Sequence, residues 1–109
     1  MAITQAMCTS FKSEILQEGH QMATDTIKLA LFTSSASLGA GTTAYSTSNE
    51  VSGTGYTAGG VTLTSTTVST SGTTAFFDAD DPTFTSASFT ARGALIYNSS
   101  NSDKAIAVL

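Results

Sequence analysis

The sequence predicts an α+β, mainly β domain in which one N-terminal helix packs on an antiparallel β-sandwich or jelly-roll-like sheet. Three observations carry this reading. Apolar residues recur at helical spacing only near the N-terminus. Period-two alternation takes over from Asp25. The segments that follow are Thr-rich strands separated by Gly/Ser turns, with no second helix between them, as in a sandwich or small barrel.

The helix is expected over residues 3–18. Ile3, Met7, Phe11 and Ile15 are four apart, and Cys8 and Leu16 widen the stripe. Gly19 suits the position just past the helix end, where a left-handed conformation is tolerated. Residues 1–20 thus form the helical part of a single domain, and residues 25–109 the β part. A first strand is expected over 25–34: Ile27, Leu29 and Leu31 form one face, Ala30 and Phe32 a second, partly covered one. Residues 34–60 hold six Gly among many Ser and Thr and read as a long loop, of the kind that is functional or mobile in a small domain. Beyond it, Ser71-Gly72 separates two β-rich runs and predicts a hairpin. Pro82 discourages pairing in the acidic stretch that follows. Phe84, Phe89 and Ala91, then Ala94–Tyr97, give one or two strands; residues 98–103 form a turn, and residues 104–109 a final strand.

Composition narrows the function. Of 109 residues, 36 are Ser or Thr, while only 11% are charged and the net charge is −4. Four Lys/Arg cannot build the basic surface that phosphate neutralisation needs, so no nucleic-acid partner is expected. One Cys and one His make neither a disulfide framework nor an ordinary zinc site. The longest apolar run has five residues, so no membrane span is expected, and the N-terminus lacks the basic start and apolar stretch of a signal peptide. A single unpaired Cys fits synthesis in a reducing cytoplasm.

The candidate motifs divide between chemistry and packing. Asp78-Ala79-Asp80-Asp81-Pro82 lacks the spacing, central Gly and terminal Glu of a calcium loop and reads as a solvated turn. Gly53–Gly60 has neither the Lys-Ser/Thr nor the following helix of a phosphate loop and reads as a flexible connector. His20 lies where the helix dipole favours a cation, with no nucleophile or acid placed beside it. Cys8 reads as a small buried hydrophobe. No catalytic, cofactor-binding or metal-binding residue is therefore assigned. Tyr45 and Tyr56, set in a Ser/Gly/Asn-rich loop, have the composition of binding loops. The closing strand AIAVL is apolar and must pair within the sheet or against a neighbour.

Residues 24–64, TDTIKLALFTSSASLGAGTTAYSTSNEVSGTGYTAGGVTLT, resemble a group of small virion proteins of tailed bacteriophages. The opening MAITQAMCTSFKSEILQ and the later TARGALIYNSS with its AIAVL strand are similar to the same group, so the likeness runs along nearly the whole chain. Its most specific parts are Tyr45–Gly60 and Ala91–Asn98. The resemblance implies a non-enzymatic structural protein of the virion, made in the bacterial cytoplasm. The expected role is a capsid decoration or cement protein that clamps neighbouring major capsid subunits and self-associates as a dimer or trimer. Tyr45, Asn49, Glu50, Val51 and Tyr56 of the loop, with Ile106, Val108 and Leu109 of the last strand, are the expected partner-binding residues. The alternatives are a tail, baseplate or adaptor subunit and a carbohydrate-binding host-attachment module.

Overall fold

A computed structural model describes residues 3–17, 20, 22, 24–79 and 91–109. The chain is mainly β with one short helix and antiparallel strand pairing, in the order β1 (Ala6–Met7), α1 (Thr9–Ile15), β2 (Ile27–Phe32), β3 (Val61–Thr62), β4 (Thr67–Ser71), β5 (Thr74–Asp78), β6 (Gly93–Asn98) and β7 (Lys104–Val108). Five strands form one sheet in the order β1-β7-β6-β2-β3, and β4-β5 is a separate hairpin. The described residues thus build a five-stranded sheet and a two-stranded ribbon that shares no ladder with it but packs Phe77 against the core, in keeping with the expected α+β, mainly β class. The expected Gly19 cap, the Pro82 break and the strand positions Phe84 and Phe89 lie outside the described residues.

The helix is half as long as its apolar spacing predicts. Residues 3–8 exchange helical bonds for lateral ones. Ile3 bridges Leu38, Ala6 and Met7 pair with Val108 and Ala107, the Cys8 N–H donates to Ile106 O at 2.8 Å, and the Thr9 N–H donates to Ala40 O at 2.8 Å. Each of these N–H groups finds a fixed carbonyl on β7 or the loop, so tertiary pairing overrides local helix preference. Phe11 and Cys8 are buried, whereas Met7, Ile15 and Leu16 of the expected stripe are exposed.

Strand β2 meets β6 in an unbroken register from Ile27↔Asn98 to Phe32↔Gly93. The face shared by Ala30, Phe32, Leu95 and Tyr97 is the better buried: Ala30 is 0% and Phe32 2% exposed. Leu29, Leu31 and Ile96, on the opposite face, are only half-buried. The second face is sealed at one end, where Ile27 is fully buried, and the tighter burial of the first is the work of the loop between Phe32 and Val61. It folds back over the first face, where Tyr45 stacks on Tyr97 with ring centroids 4.5 Å apart and meets Phe32 edge-on at 6.4 Å.

The loop also closes both edges of the sheet's centre. On the β2 side, Val51 N–H donates to Leu31 O at 2.9 Å, and Glu50 bridges Phe32. On the β7 side, Ala105 N–H donates to Thr43 O and Tyr45 N–H to Asp103 O, both at 2.9 Å. Strand β7 is therefore flanked by β6 on one side and by residues 6–8 and 43–45 on the other. The apolar C-terminal strand has its main-chain partners within the chain.

A polar knot lies on the face opposite Tyr45 and Tyr97. Asn98 is fully buried; its Oδ1 accepts from Ser100 N–H at 3.0 Å, and its Nδ2 donates to Asp25 at 2.7 Å. That orientation turns Nδ2 toward His20 Nδ1, 3.0 Å away, so Nδ1 accepts and Nε2 donates to Glu14 at 2.8 Å. His20 thus joins α1 to the β6–β7 turn.

Gly60 takes φ +83, and a Cβ there would lie 2.0 Å from Leu29 O; Gly72, at φ +62, has open space around it. Gly60→Ala is therefore expected to destabilise the fold by about 3 kcal/mol or more, through a backbone clash that no rotamer relieves. Gly72→Ala, strained only by its dihedral, costs about 1 kcal/mol. Chemical denaturation of the two variants checks the ranking.

Candidate functional site

The loop that carries most of the expected partner-binding residues is organised around one carboxylate. Glu50 Oε1 accepts from the Tyr45 hydroxyl at 2.6 Å; Oε2 accepts from the Tyr56 hydroxyl and from Gly59 N–H, the latter at 2.8 Å. A carboxylate offers about four lone-pair sites, and three donors converge on this one. Hydrogen bonds to a charged acceptor are the strong ones.

The network extends outward into the sheet. The Tyr56 oxygen also accepts from Leu31 N–H at 3.0 Å, at a point on the β2 edge between the stretches paired with β3 and with Glu50–Val51. Tyr97, from β6, donates its hydroxyl to Gly59 O at 2.5 Å. Both polar groups of the Gly59 main chain are thus engaged, and Gly59 holds φ +96 as Gly60 presses on Leu29. Two consecutive glycines are required because the chain must turn through left-handed dihedrals with its backbone against a strand. The Gly53–Gly60 segment, expected to be a flexible connector, is pinned at its C-terminal end.

The expected contact residues fall into three groups. Tyr45, Glu50 and Tyr56 form the internal latch, with their polar atoms spent on one another. Val51, Ile106 and Val108 are buried among the chain's own residues. Asn49 and Leu109 are exposed. Asn49 adopts φ 63, and its carbonyl accepts from Thr33 N–H at 2.9 Å. Leu109 exchanges main-chain bonds with Ala94 while half of its surface stays open. Sequence reading missed Gly59, Gly60, Tyr97 and Leu31 as members of the latch. The signal was there in the spacing of Tyr45, Glu50, Tyr56 and Gly59, which places one acid among several donors.

Beside the latch the loop encloses an open concavity of about 730 Å³, lined in part by Thr4, Ser35, Ser37, Thr42, Ser48 and Asn49, with Phe32 at its base. Its lining mixes hydroxyls and the Asn49 amide with apolar Ala36, Leu38 and Ala44, and carries no charged side chain. Such a surface can exchange neutral hydrogen bonds with a partner without opposing or desolvating charges.

Among the described residues no group of three His, Cys, Asp or Glu side chains could hold a metal ion. Burial and the neighbouring Glu14 charge push the Cys8 thiol up, away from the reactive thiolate. No described helix is long and apolar enough to cross a membrane. Comparison with protein-family models, with curated proteins and with solved structures gives no match.

Burial raises all three phenols above their ordinary value of 10. Tyr45 and Tyr56 are raised further by their bonds to Glu50, and Tyr97, near Asp103 and Glu50, is pushed up to about 12. The unfolded chain therefore loses phenolic protons before the folded one. The associated stability is fully present below pH 10 and lost as pH rises from there through the folded values. In an alkaline titration, tyrosinate absorbance is expected to appear together with loss of structure; a phenol ionising near pH 10 in a still folded chain contradicts the latch. Glu50→Gln, which replaces the charged acceptor by an amide, is expected to cost about 2 kcal/mol or more, measured by urea denaturation at neutral pH.

Proposed function

We propose that the chain is a non-enzymatic structural protein of a tailed-bacteriophage virion, acting as a capsid decoration protein that holds neighbouring major capsid subunits together. The observation that carries this reading is the latched loop. A segment of more than two dozen residues, stretched across one face of the sheet, is fastened by Glu50 into a fixed shape and presents an uncharged, hydroxyl-lined concavity. A pre-shaped loop loses little entropy on docking, so contacts made by neutral hydroxyls and backbone suffice. The sequence resemblance of residues 24–64 supplies the kind of partner. An ordinary stable interface buries roughly 800 Å² per partner, and repetition over a capsid lattice multiplies weak contacts.

The contact is expected to use the rim of the concavity and not the latch behind it. Ser37→Arg and Ser48→Arg change exposed loop side chains. They are expected to leave the melting temperature unchanged and to abolish co-sedimentation with decoration-free heads. Particles assembled without the protein are expected to lose their genome at lower temperature than complete ones. Equal heat resistance with and without it, or a copy number set by the tail instead of the capsid lattice, rejects the reading.

A further inference from the structure

We propose that strand β4 is the self-association edge of this protein, pairing antiparallel with β4 of a second copy about a two-fold axis at Ser69. The inference deepens the assembly reading above by naming one partner, and it concerns the purified chain, so its failure and that of the capsid contact are separable.

The argument begins with unequal edges. The five-stranded sheet ends on two-residue strands, β1 and β3, which are too short to template another chain. Among the described residues the β4–β5 hairpin has no ladder to that sheet, and all of β4 is exposed. A two-stranded ribbon is marginal in water and gains from further strands. Strand β5 ends on the charged Asp78, whereas β4, Thr67-Val-Ser-Thr-Ser71, has no charge and no proline to repel an added strand.

Register then selects the occupant. Ser71 and Thr74 flank the two-residue turn and pair directly, as do Ser69 with Phe76 and Thr67 with Asp78. In an antiparallel ladder the residues next to such a turn bond each other and alternate residues face outward. The outward N–H and C=O groups are therefore those of Val68 and Thr70, placed symmetrically about Ser69. A second copy matches this pattern unaided. Val68 bonds Thr70 of the second copy, Thr70 bonds its Val68, and the two Ser69 residues sit opposite each other. No charge meets a like charge across the strands. The product is a four-stranded sheet, the closed two-fold arrangement of an isologous dimer.

The side chains agree. Val68, Ala75 and Phe77 border an apolar groove of about 520 Å³ whose other wall holds Met7, Ile15 and Leu16. A two-fold axis normal to the sheet brings the two grooves onto the same side, with each Val68 opposite Thr70 of the other copy and diagonal to its Val68. Val68 is 54% and Leu16 87% exposed in the single chain, an apolar patch of the kind that marks an interface. With net charge −4 on each copy, salt is expected to strengthen the association.

Sedimentation equilibrium of the full chain over a concentration series tests this. The parent is expected to convert from monomer to dimer, at lower concentration in higher salt. Ser69→Lys and Ser69→Asp place like charges opposite each other at the axis; each is expected to be a folded monomer at concentrations where the parent is dimeric, and an equimolar mixture is expected to dimerise. Ser69→Cys under mild oxidation is expected to give a covalent dimer linked through residue 69, since the native Cys8 is buried. A parent that stays monomeric, charged variants that dimerise as the parent does, or a mixture that stays monomeric overturns the proposal.

Discussion

One carboxylate determines how this domain can exist with so few charges. Glu50 gathers the Tyr45 and Tyr56 hydroxyls and Gly59 N–H onto two oxygens, and through them it reaches β2 at Leu31 and β6 at Tyr97. A loop of this length has high conformational entropy to lose, and its own apolar residues are few. The convergent bonds offset that loss because they are charge-assisted and partly shielded from water. The latch also positions the Tyr45 ring over Tyr97 and beside Phe32, so the aromatic half of the core depends on the polar knot beside it.

The same loop resolves the problem of the sheet edges. Residues 49–51 run along β2, and residues 43–45 run along β7. The chain thereby spends its least regular segment as the border of its most regular one. This arrangement also explains why the face bearing Ala30 and Phe32 is sealed while the face bearing Leu29 and Leu31 stays partly open. A long connection lies on the first face, and a helix of two turns is too small to cover the second.

Much of the fold could be read from local pattern, because local pattern was what held it. The β2 alternation, the turn at Gly72 and the apolar β6 and β7 segments each declare themselves within a few residues. The helix at residues 3–8 could not be read correctly. Ile3 and Met7 lie at helical spacing, but their backbone partners are Leu38 and Ala107, far away in sequence. The candidate site was legible in part for the same reason. Tyr45, Glu50 and Tyr56 drew notice as a motif, yet whether a tyrosine faces a partner or its own chain depends on where a carboxylate lies in space. Val51, Ile106 and Val108 read as apolar residues of a loop and a terminal strand, and the single chain buries them.

The bond between Leu31 N–H and the Tyr56 oxygen has one more consequence. Its acceptor is a side chain carried by the loop, so this strand amide can lose its partner without any strand separating. Its solvent exchange is tied to the lifting of a phenol ring, while amides within the β2–β6 ladder report rupture of the sheet itself. One atom at the margin of β2 thus acts as a gauge of how often the clasp unfastens, separate from the much rarer event of the whole molecule coming apart.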